Sequence, residues 1–294
     1  MSMQLPSYSP LTRPPLAVTE LDVSVTTAVR LSIVVPAFNE AERLASTVAK
    51  LHALFSGYPD FEVIIVNDGS ADATLAAAAG IVASCENCHL VSYATNRGKG
   101  YALRRGFAAA RGELVAFLDA DGEIDPAELL ALLEQQRRTG ASAVVGKKVV
   151  VGPRPWYREL MTLGIRFTAK RFFHLPVTDS QAGIKVFVKA HISELINHCT
   201  EPGYLFDLEL LTLAHRRGLN IQQHPVTYQV LRPSRINLFT GLKTARDVFR
   251  LLHKRKIVQQ RERRKGVPEA SVKSLRSNSL MTLLAETSPD RTRS

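Results

Sequence analysis

Asp119 and Asp121 stand one small residue apart, directly after the apolar run Val115-Ala116-Phe117-Leu118. Two carboxylates at the exit of a buried strand are costly without a counterion. A divalent cation resolves that cost. Oxygen ligands with no histidine or cysteine beside them favour Mg²⁺ or Mn²⁺ over zinc, and such a cation usually completes its coordination with substrate phosphates. The plain alternative is a solvated acidic turn, which Gly122 and Pro126 tolerate.

Three further polar clusters follow apolar runs in the same way. Pro36-Ala37-Phe38-Asn39-Glu40 ends Leu31 to Val35, Asn67-Asp68-Gly69-Ser70 ends Phe61 to Val66, and Asn96 to Gly100 follows Leu90 to Tyr93. The spacing predicts helices between these runs: Leu44, Val48, Leu51 and Leu54 share one face, Asp72 to about Ala79 is alanine-rich, and Tyr101 to Ala110 precedes Gly112. Asp125-Pro126 opens another helix, and Ala143-Val144-Val145 is a fifth strand. Strands alternating with helices predict an α/β domain with a mostly parallel sheet covered on both faces. In such sheets ligands bind outside the strands' carboxyl ends, so four polar clusters there form the rim of one site.

The second half is less regular. A helix is expected over Trp156–Phe173, a polar loop over Thr178–Gly183 and a strand over Ile184–Val188. Helices are expected over Ile192–His198 and Phe206–Arg216, and Ile221–Tyr228 reads as an edge or returning strand, Pro225 arguing against a central position.

Charge and composition exclude several classes. Residues 1–240 carry 24 basic and 22 acidic side chains, whereas residues 241–294 carry 14 and 5. The body is nearly neutral, which argues against nucleic acid as a partner. There is no Gly-x-Gly-x-x-Gly after the first strand, no Walker loop and no Gly-x-Ser-x-Gly elbow. Three cysteines make no disulfide framework; Cys85-x-x-Cys88 could be a redox or half-metal pair but, without a second half, reads as structural or incidental. The eight histidines show no ligand pair. No run reaches the roughly 20 apolar residues of a spanning helix, and residues 1–18 lack a signal-peptide centre. The expected location is the cytoplasm, with a peripheral position on the membrane's cytoplasmic face open to it.

The four strand-end motifs, together with Asp179-Ser180-Gln181-Ala182-Gly183-Ile184-Lys185-Val186-Phe187 and Phe206-Asp207-Leu208-Glu209-Leu210, resemble glycosyltransferase family 2, which has the GT-A fold. Within it the chain is similar to the dolichyl-phosphate and polyprenyl-phosphate hexosyltransferases, nearest the glucosyltransferase branch, over about residues 30–253. The resemblance implies a nucleotide-sugar donor, with UDP-glucose the first candidate, and inversion at the anomeric carbon. It places Pro36 and Glu40 at the border of the nucleotide site and Asp68 on the uracil or ribose side. Asp119 would hold the ribose or share the metal, Asp121 would ligate the metal, and Lys99 is either an added cation for the diphosphate or a solvated loop lysine.

A lipid phosphate acceptor is already anionic and needs cationic guidance rather than a strong base. Arg154, Arg158, Lys185, Arg232 and Arg235 are the candidates, with Lys185 and Arg235 in motif-like segments. Gln181 is a candidate hydrogen-bond donor to sugar or phosphate. A hydroxyl acceptor would need a carboxylate base, for which Asp207 and Glu209 stand at a helix start; Asp207 could equally cap that helix. This soluble, hydroxyl-directed transferase is one alternative, and a GDP-mannose-dependent polyprenyl-phosphate mannosyltransferase is another. A retired enzyme kept as a sensor or scaffold is disfavoured by the intact Asp119 and Asp121.

The chain therefore divides into an N-terminal arm over 1–29, a catalytic domain over 30–240, a basic amphipathic helix over 241–264 and a disordered tail over 265–294. The arm is a candidate dimer contact. The basic helix, with Leu238, Leu242, Phe249 and Leu252 on one stripe, either lies on anionic lipid or packs on the body. Family relatives often carry spanning helices that are missing here, which puts a lipid acceptor in question.

Overall fold

The computed structural model describes residues 31–58, 60–151 and 175–231. The N-terminal arm, the helix expected over Trp156–Phe173, the basic helix and the tail lie outside the described residues, as do Arg154, Arg158, Arg232 and Arg235.

Among the described residues, seven strands and six helices follow in the order β1 Leu31–Ala37, α1 Ala41–Phe55, β2 Phe61–Asp68, α2 Thr74–Ala83, β3 Cys88–Tyr93, α3 Lys99–Ala109, β4 Leu114–Leu118, α4 Glu128–Thr139, β5 Ala143–Val151, β6 Ile184–Val188, α5 Lys189–His198, α6 Phe206–Arg216 and β7 Ile221–Gln229. They build one sheet in the order β3-β2-β1-β4-β6-β5-β7. Helix α2 runs through Gly80 to Ala83, past the expected end near Ala79.

Strands β3, β2, β1 and β4 are mutually parallel. Strand β6 then enters between β4 and β5, antiparallel to both, while β7 pairs parallel with β5 at the edge. The sheet is thus mixed and mostly parallel. Pro225 sits on edge strand β7, opposite Lys147, where a missing N–H costs least.

Alternation along the strands divides the core between two faces. Val34, Ile64, Val66, Val115 and Phe117 pack with Leu103, Phe107 and Phe206 on the α3 and α6 side. Ile33, Val35, Val63 and Ile65 pack with Leu44, Leu51, Phe55, Leu129 and Leu132 on the α1 and α4 side. Both faces of β1 are dry, which is why its sequence is a continuous apolar run rather than an alternating one. The single polar side chain within it, Ser32, lies toward the amino end. Its hydroxyl donates to Glu62 Oε1 at 2.6 Å and accepts from Gly112 N at 2.7 Å.

The chain leaves β1 toward β2 and β3, then returns to place β4 on β1's other side. Strand order reverses there, so the carboxyl ends of β1 and β4 diverge into a crevice.

Candidate active site

Asp119 follows β4 at that crevice. Its backbone N–H donates to Gly183 O at 2.9 Å, tying it to the loop before β6. Gly183 is required by close approach: a Cβ there would stand 2.4 Å from Asp119 Oδ2. Lys99 Nζ lies 2.6 Å from Asp119 Oδ1 and 2.7 Å from Oδ2. Burial alone would push the Lys99 ammonium down, but the carboxylates of Asp119 and Asp207 hold it well above the usual lysine range.

Asp121 begins the turn that follows. Its Oδ1 accepts from Glu123 N at 3.0 Å. The turn is pinned from β7: Gln229 N donates to Glu123 O at 2.8 Å and the Tyr228 hydroxyl donates to the Glu123 carboxylate. Burial, reinforced by the neighbouring Asp119, pushes the Asp121 carboxyl up to about 7. A carboxyl so displaced is one whose ionised form lacks compensation. The donor set is two oxygen anions, so Asp119 and Asp121 fit a hard divalent cation.

Asp68 is buried, and its carboxylate is engaged within the protein. Oδ1 accepts from Arg97 N at 2.8 Å, and Oδ2 accepts from Gly98 N at 2.9 Å and from Asn96 Nδ2 at 3.0 Å. The effect is to order the loop that delivers Lys99. Gly98, at φ +93°, also lets that loop touch the backbone before α6, since a Cβ would lie 2.6 Å from Pro202 O. Tyr101 N donates to the same carbonyl at 3.1 Å.

Asn39 adopts a left-handed conformation (φ 55°), which asparagine accommodates better than most residues. Its Oδ1 accepts from Ala71 N at 2.9 Å, and its own N–H donates to Ser70 Oγ at 3.0 Å. Glu40 N donates to Thr74 Oγ1 at 2.9 Å. These bonds fix the β1 and β2 exits to each other, with Pro36 half-buried on β1 and Glu40 buried at the start of α1. Asn39 lies within the Pro36–Glu40 cluster but has no role of its own legible in the sequence, and Thr74 carries no local signal beyond its place at a helix start.

On the other side of β4, Lys185 of β6 is 2% exposed. Its Nζ donates to Ala182 O at 2.6 Å and lies 3.2 Å from Asp207 Oδ1. Burial pushes this ammonium down while Asp207 pulls it up. Asp207, buried at the start of α6, thereby joins Lys99, Asp119 and Asp121 in one charge cluster. Glu209, the other base candidate, instead accepts from Thr200 N at 2.9 Å and Glu201 N at 2.8 Å, so it orders the preceding loop. Gln181 Nε2 is buried without a hydrogen-bond partner among the described residues.

Residues 32–195, more than half of the chain, match the family model for glycosyl transferase family 2. The chain belongs to this family. Within family 2 it is 32% identical over 241 residues to the dolichyl-phosphate beta-glucosyltransferase of Drosophila melanogaster, covering 76% of this chain and 74% of that protein. It is 30% identical to dolichyl-phosphate beta-glucosyltransferase ALG5C of Trichomonas vaginalis, covering 75% and 70%. The fold is that of glucosyl-3-phosphoglycerate synthase from Mycobacterium tuberculosis, solved with Mn²⁺, UDP-glucose and phosphoglyceric acid; the TM-score is 0.59 at 24% identity, covering 82% of this chain and 81% of that one. The protein is a family 2, nucleotide-sugar-dependent glycosyltransferase of GT-A architecture, related to the dolichyl-phosphate glucosyltransferases. Among the described residues no helix is long and apolar enough to cross a membrane.

Proposed function

We propose that this transferase moves a hexose, glucose first among candidates, from a UDP-sugar to a hydroxyl acceptor with inversion, Asp207 serving as the base. The observation that carries this reading is the buried Asp207 carboxylate, held in the cluster by Lys185 at 3.2 Å. Burying a carboxylate is costly. A hydroxyl nucleophile needs such a group to take its proton as it attacks, whereas a phosphate nucleophile does not. Direct displacement at the anomeric carbon gives inversion.

Asp119 and Asp121 would hold Mg²⁺ or Mn²⁺. A cation there supplies charge neutralisation for the departing diphosphate. Lys99 adds a fixed positive charge beside the same leaving group. Asp68 acts by holding the Lys99 loop at the nucleotide side, and Pro36 and Glu40 border that side. Gln181, whose Nε2 has no partner among the described residues, would donate to the sugar or a phosphate oxygen.

A second reading keeps the donor chemistry and changes the acceptor to a polyprenyl phosphate. Its support is the pair of relatives named dolichyl-phosphate beta-glucosyltransferases, matched over about three quarters of this chain and 74% and 70% of their own lengths. Lys185, Arg232 and Arg235 would then guide the acceptor phosphate, and the basic stretch 241–264 would hold the enzyme at the cytoplasmic membrane face.

UDP release from UDP-glucose, measured with small hydroxyl acceptors and with short prenyl phosphates, separates the two. The first reading expects turnover on a hydroxyl compound that Asp207→Asn abolishes while UDP binding persists. Turnover confined to prenyl phosphates, and retained by Asp207→Asn, would establish the second.

A further inference from the structure

On the opposite side of the sheet from the charge cluster, at the amino end of edge strand β3, three soft ligand atoms converge. His52 lies in the last turn of α1, and Cys85 and Cys88 bracket the turn entering β3, closed by Cys88 N donating to Cys85 O at 3.1 Å. His52 Nε2 is 2.8 Å from Cys85 Sγ and 3.3 Å from Cys88 Sγ, and the three ligand atoms lie within 4.8 Å of one another. We propose that His52, Cys85 and Cys88 form a zinc site, independent of the catalytic cation, that clamps helix α1 to strand β3.

The geometry is near what zinc requires. Ligands bonded at about 2.3 Å (sulfur) and about 2.0 Å (nitrogen) around a tetrahedral ion stand roughly 3.5–3.8 Å apart. The two nitrogen–sulfur separations, 2.8 and 3.3 Å, reach that by movements of under about 1 Å. Two sulfurs and an imidazole form a set for a borderline-soft ion and suit neither Mg²⁺ nor Mn²⁺. Among the described residues this is the one group of three or more histidine, cysteine or acidic side chains placed to share an ion.

Its surroundings are ordered for it. The His52 ring packs on Phe61, centroids 5.4 Å apart, and Asn87 Nδ2 donates to Phe61 O, fixing the turn between the two cysteines. A redox pair is a poorer reading, because such pairs sit in partially exposed, electropositive surroundings and Cys88 is 2% exposed within the α1-side core. Binding would deprotonate both thiols, releasing two protons, with Nε2 of neutral His52 as third ligand and water as the fourth.

Cys85-x-x-Cys88 by itself is only half of a zinc motif, which is why it reads from sequence as structural or incidental; the third ligand lies 33 residues upstream on another element, where no local spacing shows it.

Cobalt(II) titrated into the full-length, chelator-treated protein tests the site. The expected result is a thiolate-to-cobalt charge-transfer band with tetrahedral d–d bands, displaced by one equivalent of zinc. The aspartate pair contains no sulfur and cannot produce that band. Cys85→Ser and His52→Asn, both at half-buried positions, should each weaken zinc binding by more than the about 10- to 100-fold that losing an outer-shell partner costs. Zinc should also raise the melting temperature of wild type more than that of either variant. Absence of the charge-transfer band in wild type, its persistence in Cys85→Ser, or a Cys85–Cys88 disulfide in freshly isolated protein would overturn the proposal.

Discussion

Lys99 and Asp119, 20 residues apart in the chain, meet at 2.6 Å, so the carboxylate at the end of β4 already has a cationic partner before any metal or donor arrives. The lysine comes from the β3–α3 loop and the aspartate from β4, and the loop holds its place through Asp68. On the proposed reading, a metal and Lys99 would compete for this one carboxylate until a diphosphate brought enough negative charge for both.

Lys99→Met should separate these roles. Manganese affinity without nucleotide is expected to rise by at least about tenfold, or about 1.4 kcal/mol, while UDP affinity falls by a similar factor. Isothermal titration reads both. A parallel loss of both affinities would show that Lys99 merely supports the fold.

Asp121→Asn should abolish the manganese-dependent thermal shift by UDP and lower kcat about a thousandfold, or about 4 kcal/mol, with the fold retained. Unchanged manganese dependence would remove Asp121 from the cation site.

The Asp121 carboxyl also sets a pH dependence. Its pKa rises on folding from 3.8 to about 7, so the folded, metal-free protein keeps a proton that the unfolded chain gives up. That stabilisation is complete below about pH 4 and disappears as pH rises through about 7. Metal-free Asp121→Asn, which needs no proton, should melt increasingly above wild type as pH goes from 5 to 8. In wild type, manganese affinity should fall about tenfold per pH unit below 7 and level off above it. A pH-independent difference in melting temperature would contradict the shifted carboxyl.

Gly183→Ala places a methyl 2.4 Å from Asp119 Oδ2 and must turn that carboxylate aside. Donor and manganese binding are expected to weaken by at least about tenfold with the circular dichroism spectrum retained. Wild-type affinities would mean that Asp119's position is not critical.

Glu62, far from the crevice, tests stability alone. Burial pushes its carboxyl up, but bonds from Ser32 and Arg111 win and hold it below the ordinary 4.5. Arg111 N donates to Oε1 at 2.7 Å and Arg111 Nε to Oε2 at 2.8 Å. Its contribution is present above pH 4.5 and lost as pH falls through the lowered value. Glu62→Gln should cost about 1–3 kcal/mol at pH 7, with the gap to wild type narrowing under acid in urea titrations. A gap constant with pH would mean that the charge contributes nothing.

The sequence alone determined the strands β1 to β4, their helices and the four polar strand ends, because continuous apolar runs and helical spacing are local signals. Asp119 and Asp121 were legible for the same reason, as was the edge position of β7 from Pro225. The insertion of β6 between β4 and β5 depended on pairing between distant segments, which no local pattern encodes. The same holds for Asp68 closing on Asn96, Arg97 and Gly98, for Lys185 buried against Asp207, for Glu209 ordering Thr200 and Glu201, and for His52 meeting Cys85 and Cys88. Those contacts exist only once segments distant in the chain are brought together by the folded sheet and its helices. Residue type gave the chemistry a side chain could perform, and burial with its partners decided which group it acts upon.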